Sequence, residues 1–464
     1  MAKKPQKKVV KTKTKAEIKK KVQGLAKSRK RKFSLVRGFK DILPVDQMYW
    51  NFVREKFTSI SKSYGFQRID LPILEETGLF VRGIGEETDV VSKEMFSFKT
   101  LGKEEVSLRP EGTAGVVRAY VEHGMLNKPK PVKVFYSGPM FRYDRPQAGR
   151  YRQFYQFGLE AIGIDDPIID AQLIYLCKQM YNDIGIPVDI QINSIGCTKC
   201  RKIYVRSLKN YLKKHKSKLC NTCKSRYLKN PLRVLDCKEK NCKEVVEEAP
   251  QIIDHLCEDC NTHFVKVLEY LEDAEVPYIL NPFIVRGLDY YNRTAFEVFP
   301  KGDSGSQSAL AGGGRYDGLV KNLCGPETPA IGLAIGMERT INKLREKEET
   351  PGQKRNEEIV KSTVCDVFVA QLGEQARKKA LVLFEELRKV GFNVGESLSK
   401  SALKAQLESS NRKKAKLSII IGQKEILDKT ILIRDMESGN QEIVPEDQIM
   451  KVLKRRLHSL NIKK

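Results

Sequence analysis

An arginine, a glutamine and a carboxylate at alternate positions make an unusual surface for a β-sheet. In VKVFYSGPMFRYDRPQAGRYRQFYQFGLE (132–160), two alternating runs flank a basic, glycine-containing loop, Asp144–Arg150. This is the pattern of an antiparallel hairpin. On the second arm the two-residue period sets Arg152, Phe154, Gln156, Gly158 and Glu160 on one face and Tyr155, Phe157 and Leu159 on the other. The second face is ordinary core. The first carries a hydrogen-bonding amide and an acid beside a glycine that leaves space above it, and Arg142 ends the other arm. Such a surface can serve as a floor for a small zwitterion and a phosphate. A solvated amphipathic hairpin is the plain alternative.

Three further stretches bear chemistry. In SLRPEGTAGVV (107–117) a strand breaks at Pro110–Thr113 and a helix begins, which leaves Glu111 and Thr113 able to receive an ammonium group. Gly312–Gly314 removes three successive side chains, as a ligand lying against the backbone requires and as a bulge or tight packing crossing also would. In PAIGLAIGMERTINKL (329–344) a small-residue strand meets a helix at Gly336, so Arg339 lies in the first turn and can project toward an anion. Between Cys197 and Cys260 fall eight of the 11 cysteines, as Cys197-x2-Cys200, Cys220-x2-Cys223, Cys237-x4-Cys242 and Cys257-x2-Cys260. The 19 residues between the first two pairs are a zinc-site spacing. Paired cysteines in a chain lacking a secretory h-region favour metal over disulfides, with reduced structural thiols the competitor. Eight thiols allow two four-thiolate sites, or one site plus spare thiols. His255 and His263 read as incidental, and Cys177, Cys324 and Cys365 as small core residues.

The elements that must position these groups fit a chain of 464 residues with room for two or three domains. No run approaches the ~18 apolar residues of a membrane span, and a cytoplasmic protein is expected. The net charge is +26, of which residues 1–32 supply +14 through 15 Lys/Arg against Glu17. The remainder is still basic, which suggests a polyanionic partner. The tail itself reads as a disordered arm with non-specific affinity for RNA. A helix capped by Asp46 and closed by Gly65 precedes an edge strand interrupted by Pro72, and a helix near 168–183 leads to the strand PVDIQINSIG. A strand, a glycine turn with two adjacent tyrosines, and a second strand are expected over 281–299. The Cys197–Cys260 segment is helical in pattern, lysine-rich and poor in large apolar residues. Beyond the charged stretch 344–362, CDVFVAQ, KLSIIIG and TILIRD alternate with helices as a compact α/β domain. The expected divisions are a tail (1–35), a sheet domain in two parts (36–196 and 273–345), a cysteine-rich helical insertion (197–272), a linker (346–362) and a C-terminal domain (363–464).

From Arg37 to the C-terminal helix the chain resembles the class II aminoacyl-tRNA synthetases and, within them, the histidyl-tRNA synthetase family. The Pro72 segment is similar to motif 1, FRYDRPQAGRYRQF to motif 2 and GLAIGMER to motif 3, while LRPEGT matches the family's amino-acid loop. RGLDYYN (286–292) and AGGGRYDGL (311–319) are more specific and resemble the two histidine signatures. The resemblance implies an α+β fold: an antiparallel sheet with helices, a helical insertion and a C-terminal anticodon-binding domain. It implies a homodimer through motif 1, and ligation of L-histidine to tRNA(His) by way of a histidyl-adenylate formed from ATP and Mg2+.

By the same resemblance Arg142 grips the α-phosphate and carboxylate. Arg286 approaches the α-phosphate from the other side, and Arg339 meets the distal phosphates. Glu111, Thr113 and Gln156 take the α-ammonium; Glu160, Tyr290 and Tyr291 enclose the imidazole. Asp144 stands where the family commonly has a glutamate near the adenine, and its shorter reach weakens that assignment. Arg145, Gln147 and Arg150 are expected to contact the tRNA acceptor end. The cysteine-rich insertion is expected to support the acceptor stem without entering the chemistry. Two rival readings are a non-catalytic relative that senses histidine as a regulatory subunit and a general RNA-binding protein with zinc knuckles. Retention of Arg142, Arg286, Arg339 and a C-terminal domain argues against the first, and RGLDYYN against the second.

Overall fold

The computed structural model describes residues 33–462 apart from 87, 146–148, 238, 304–307 and 350–364. Most of the basic tail, Gln147 and most of the expected linker therefore lie outside the described residues.

The strands follow in chain order. They are β1 (Gln67–Arg68), β2 (Leu74–Glu76), β3 (Phe96–Lys99), β4 (Glu105–Leu108), β5 (Val132–Phe141), β6 (Gln153–Ile162), β7 (Val188–Ser194), β8 (Ile279–Leu280), β9 (Asn292–Pro300), β10 (Ala311–Arg315) and β11 (Ala330–Gly336). Eight of them form one sheet in the order β1-β5-β6-β11-β10-β9-β7-β8. Its six inner strands pair antiparallel, and only the short edge strands β1 and β8 run parallel to their neighbours. β2, β4 and β3 form a separate small sheet. The expected α+β class holds, and β1 is at an edge as the Pro72 segment requires.

Period-two patterning decides which face is core. Phe157 and Leu159 of β6 are fully buried in a cluster with Phe57, Phe135, Tyr181 and Leu333. Phe135 stacks on Phe157 at 5.5 Å, and Phe57 meets Phe157 edge-on at the same separation. Helices Pro44–Ser63 and Ile168–Asp183 cover this face. The first helix begins at Pro44 rather than at an Asp46 cap. Proline suits the first turn because its missing N–H has no intrahelical partner there. Asp46 instead lies in that turn and pairs with Arg345 at 2.5 Å.

Other details depart from the sequence pattern. The first strand expected within 281–299 does not form: the short β8 ends just before it, and residues 282–291 carry neither strand nor helix. Helix Met337–Glu349 runs past the expected linker boundary. Cys324 is exposed, with its thiol beside Arg82, whereas Cys177 and Cys365 are buried as expected. The insertion holds more core than its lysine content suggests. Tyr204, Leu208 and Leu212 recur every fourth residue on helix Thr198–Lys214 and are buried with Tyr227, Val234, Val245 and Ile252.

A buried guanidinium braces the far end of β10. Arg315 is wholly buried, with Nε donating to both oxygens of Asp170 at 2.9 and 3.1 Å. Nη1 reaches Asp165 and Asp317, and Nη2 the carbonyls of Ile164 and Asp166. Asp170 also pairs with His263 Nε2 at 3.0 Å, so β10, helix Ile168–Asp183 and helix Glu258–Asp273 meet at one polar knot.

The C-terminal unit has β12 (Val367–Gln371), β13 (Val394–Glu396), β14 (Leu417–Ile421), β15 (Thr430–Asp435) and β16 (Gln441–Pro445) in the order β13-β12-β14-β15-β16. Helices Glu374–Lys389 and Ile449–Ile462 supply its buried apolar partners. β16 escapes the sequence pattern because it is short and mostly exposed.

Asp170→Ala should lower the free energy of unfolding by about 3–5 kcal/mol, because it leaves Arg315 buried and underpaired. Urea denaturation checks this. Asp170→Asn, which keeps an acceptor, should lose less. Equal stability of Asp170→Ala and the parent would show that the knot does not brace the fold.

Candidate active site

The opposite face of the sheet is polar, and glycines make it so. In register, Glu160 of β6 faces Gly332 of β11, and Tyr136 of β5 faces Gly158 of β6. A methyl group on Gly332 would sit 1.6 Å from Glu160 Oε2, and one on Gly158 2.1 Å from the Tyr136 ring. Gly112 is closed to a side chain by the same tyrosine, at 2.3 Å. Each large polar group therefore occupies space that its cross-strand neighbour vacates.

Glu160 is buried and hydrogen-bonded, with capacity to spare for a ligand. Thr113 Oγ1 donates to Oε1 at 2.8 Å, Tyr316 donates to Oε2 at 2.6 Å, and Tyr136 stands 3.5 Å from Oε1. Burial pushes its carboxyl up to about 8, against the pull of the Tyr316 and Thr113 hydroxyls and with a push from Glu111. Glu111 accepts the Thr113 and Ala114 amides at 2.6 and 2.8 Å, so it caps helix Thr113–Glu122. Its carboxyl is raised by burial, and those amides and Arg142 oppose the rise. The loop that carries it is pinned from behind. Arg109 donates to the carbonyls of Pro139 (2.9 Å) and Leu71 (2.8 Å) and lies where a side chain on Gly138 would be.

Arg142 continues beyond β5, donates from Nε to the Pro110 carbonyl at 2.9 Å and lies over the Phe154 ring at 5.4 Å. Gln156 shares this face, and among the described residues its buried Oε1 has no hydrogen-bond partner. An unsatisfied buried acceptor is costly unless a ligand donor meets it. A zwitterion's ammonium suits it.

The segment 286–291 closes the other side. Tyr290 packs on Tyr291 at 4.6 Å and on Tyr316 at 5.7 Å. Arg286 lies over Tyr291 at 5.1 Å and donates to Glu297 Oε1 at 2.6 Å. Gly312 is bare because the Arg286 guanidinium lies 2.5 Å from where its Cβ would stand, so part of the glycine run serves a protein side chain. Ladder irregularity between Gly314 and Arg315 accounts for another part. Arg339 holds the Ala309 carbonyl at 2.7 Å, its pKa lowered by burial and by Arg150 against the attraction of Glu297. Glu297 pairs with Arg286, and Arg339 acts on it only at longer range. Burial raises its carboxyl, and Arg286 pulls it back.

The structure therefore brings together Glu111, Thr113, Arg142, Gln156, Glu160, Arg286, Tyr290 and Tyr291, with Arg339 set apart on the Ala309 carbonyl and within the field of Glu297. Asp144 is engaged by Arg150 at 2.9 Å and by the Arg145 amide at 2.6 Å, so in this state it organises its own loop. Tyr136, Tyr316, Glu297 and Arg109 went unread in the sequence. Glu297 and Tyr136 carry the same signal as Glu160, a polar group at mid-strand on the face away from the core.

The eight paired cysteines converge on two clusters, Cys197/Cys200/Cys257/Cys260 and Cys220/Cys223/Cys237/Cys242. The spacing alone leaves the pairing of these couples open. The chain nests them, the outer pairs together and the inner pairs together, because helix Thr198–Lys214 carries Cys220 away from Cys197. Within each cluster the sulfurs lie within 4.8 Å of one another. His255 stacks near Tyr204 and His263 binds Asp170, so neither joins a cluster.

Glu160→Gln isolates the buried carboxyl. A folded-state pKa raised to about 8 means that the stability supplied by the neutral acid is complete below the ordinary value of 4.5 and is lost as the pH rises through about 8. Between pH 5 and pH 8.5, the parent without ligand should therefore lose about 2–5 kcal/mol relative to Glu160→Gln. Denaturant titrations at the two pH values measure it. Parallel pH profiles would show an ordinary carboxylate.

A family profile described as histidyl-tRNA synthetase matches residues 38–340, and one described as anticodon binding domain matches 366–456. A curated histidine--tRNA ligase from Dehalococcoides mccartyi is 45% identical over 91% of this chain and 99% of its own length. The crystal structure of apo S. aureus histidyl-tRNA synthetase superposes with a TM-score of 0.75 at 33% identity, over 91% of this chain and 100% of that one. An ATP phosphoribosyltransferase regulatory subunit/histidyl-tRNA synthetase from Bacillus halodurans shares the fold at 16% identity and a TM-score of 0.62, over 85% of this chain and 99% of that one. Profile, relatives and architecture converge: the chain belongs to the histidyl-tRNA synthetase family.

Proposed function

We infer that this chain is a class II aminoacyl-tRNA synthetase that ligates L-histidine to tRNA(His) through a histidyl-adenylate, releasing AMP and pyrophosphate. The observation that carries this reading within the site is the buried carboxyl of Glu160, ringed by phenols, on one polar sheet face with the unpaired Gln156 acceptor.

In the activation step a histidine carboxylate oxygen bonds to the α-phosphorus of ATP while the bond to the pyrophosphate oxygen breaks. No protein nucleophile is required, so catalysis consists of positioning and of neutralising charge on the transferring group. Arg142 and Arg286 are assigned to the α-phosphate and carboxylate, and Arg339 to the distal phosphates. A guanidinium suits each place because it is permanently charged and presents a planar donor fork. The family uses ATP with Mg2+, and the ion enters with the nucleotide. Glu111, Thr113 and Gln156 are assigned to the α-ammonium. Glu160, Tyr290 and Tyr291 are assigned to the imidazole. A carboxyl poised near neutrality can donate to a bare ring nitrogen or accept from an N–H. An analogue lacking either polar edge leaves these groups unpaired, worth roughly 10⁴-fold in discrimination.

The two four-thiol clusters fit Zn2+. Tetrahedral Zn–S bonds of about 2.3 Å put sulfurs about 3.8 Å apart, and Cys197 lies 3.6 Å from Cys200 and 3.9 Å from Cys257 while Cys220 lies 3.9 Å from Cys237. Backbone amides of Cys257 and Cys220 point at Cys200 Sγ (3.0 Å) and Cys242 Sγ (3.2 Å), as thiolates favour. The ions would clip helices together and supply no chemistry to the adenylate. Arg145, Arg150, Gln147 and the basic tail are assigned to tRNA, and the insertion to the acceptor stem. The assigned divisions remain tail, two-part catalytic domain, insertion, linker and anticodon-binding domain. Exposed Ile73 and Leu74, beside Pro72 in the motif 1 segment, favour a homodimer through that region. No helix among the described residues is long and apolar enough to cross a membrane, which accords with a cytoplasmic enzyme.

Charging assays with each standard amino acid should give product with histidine alone, and charging with another amino acid instead would overturn the assignment. Arg286→Ala should cut histidine-dependent adenylate formation by about 10²–10³-fold with little change in histidine affinity. A large rise in histidine Kd at normal kcat would reverse that residue's role. Elemental analysis of protein purified without a metal-affinity step should find about two zinc per chain, and less than about 0.2 would leave only reduced thiols.

A further inference from the structure

The cysteine-rich insertion reaches the histidine-signature segment at two places, each an arginine set by one thiol cluster. Arg201 directly follows Cys200 in the first turn of helix Thr198–Lys214. Its Nη2 donates to the Tyr291 carbonyl and its Nη1 to the Asp289 carbonyl at 3.5 Å. Arg233 lies between Cys223 and Cys237, on the short helix Leu232–Leu235, and its Nη2 donates to the Gly287 carbonyl at 2.9 Å. Arg226, also between those cysteines, pairs with Asp89 at 3.1 Å, in the stretch following the Ile84 carbonyl that accepts the Asp289 amide.

Residues 282–291 belong to no strand or helix, so no ladder fixes their carbonyls. Asn193 holds the carbonyls of Pro282 and Ile284, and Ile284, Tyr290 and Tyr291 share a buried apolar cluster with Tyr204, Val234 and Leu235 of the insertion. That packing is incomplete: a small cavity lined by Arg201, Tyr204, Arg233, Val285, Arg286 and Asp289 lies between the segment and the insertion. The hydrogen bonds that set the carbonyls of Gly287, Asp289 and Tyr291 from that side come from a pair of guanidiniums.

We propose that Arg201 and Arg233 are positioning residues for histidine activation, and that each four-thiol cluster, when metal-bound, fixes the arginine beside it and so couples the insertion to the adenylate site. The proposal rests on the assignment of 286–291 to histidine and ATP. It replaces the expectation that the insertion stands apart from the chemistry. Misplacement of a reacting group by about 1 Å costs roughly 10²-fold in rate, so two lost ties matter although neither arginine touches substrate. The two arginines differ in a testable way. Arg201 spans two carbonyls with its fork, which a lysine cannot reproduce, whereas Arg233 serves one carbonyl, which a lysine can reach.

The test uses the full-length, metal-loaded enzyme and its R201M, R201K, R233M and R233K variants. Backbone hydrogen exchange of the 284–291 peptide, metal content, and kcat and KM of histidine-dependent pyrophosphate exchange are measured together. R233M and R201M should retain their metal while the 284–291 amides exchange about tenfold faster or more and kcat falls about tenfold or more. R233K should recover most of both losses, and R201K little. Chelation of metal from the parent enzyme should also accelerate exchange of 284–291. Unchanged exchange and kcat in R233M and R201K would overturn the proposal, even if R201M fails to fold. Chelation that loosens the insertion helices but leaves 284–291 protected would overturn the metal coupling. R286A separates this from the assignment it rests on: it should lose activity with normal hydrogen exchange, and full activity in R286A would fault the site instead.

Discussion

A buried sheet face can carry an acid, phenols and guanidiniums only if something makes room for them, and here glycine does. Glu160 lies over Gly332, Tyr136 over Gly158 and Gly112, Arg109 over Gly138, and Arg286 over Gly312. In each case the charged or phenolic atoms stand where a Cβ would be. The backbone ladder supplies rigidity, and the absent side chains supply volume. Within such a water-poor space electrostatic interactions are stronger than in bulk solvent, so a few arginines set a strong field there.

The ladder does not extend to every residue assigned to the site. Glu111 and Thr113 sit on a break after β4, and Arg286, Tyr290 and Tyr291 on a segment between β8 and β9. Both places are held by side chains that grip backbone carbonyls. Arg109 grips Pro139 and Leu71, while Arg201 and Arg233 grip Tyr291, Asp289 and Gly287. Arg315 does the same for the turn after β6, through Ile164 and Asp166. Permanently charged guanidiniums, each with five donors, thus act as cross-braces between strands and irregular segments. Part of the chain's positive charge serves its own architecture as well as a polyanionic partner.

The polar face was legible because strand alternation is strict and an acid at mid-strand is conspicuous. Glu160, Gln156 and Arg142 could be placed from the hairpin alone, and the resemblance to a synthetase family added Arg286, Tyr290 and Tyr291. Long-range pairing was not legible. Nothing in the spacing says that Cys197 meets Cys257 rather than Cys220, since that depends on how the intervening helices fold back. Asp144 likewise reads as a free ligand group in sequence but finds Arg150 once the loop closes. Arg201 and Arg233 were hidden for a similar reason: amid many lysines and arginines their roles depend on carbonyls about 90 and 54 residues away. The insertion's core was underestimated because its apolar residues are spaced at helical period within a lysine-rich background.

The central claim is that the space vacated by the glycines, between Glu160 and the unpaired Gln156 acceptor, is where histidine lies. A crystal structure with histidine and a non-hydrolysable ATP analogue tests it directly. The account predicts the imidazole within hydrogen-bond distance of Glu160, the ammonium on Gln156 Oε1, and the carboxylate and α-phosphate between Arg142 and Arg286. Histidine bound elsewhere, for instance in the cavity between the insertion and residues 285–291, with Gln156 Oε1 still unpaired, would contradict it.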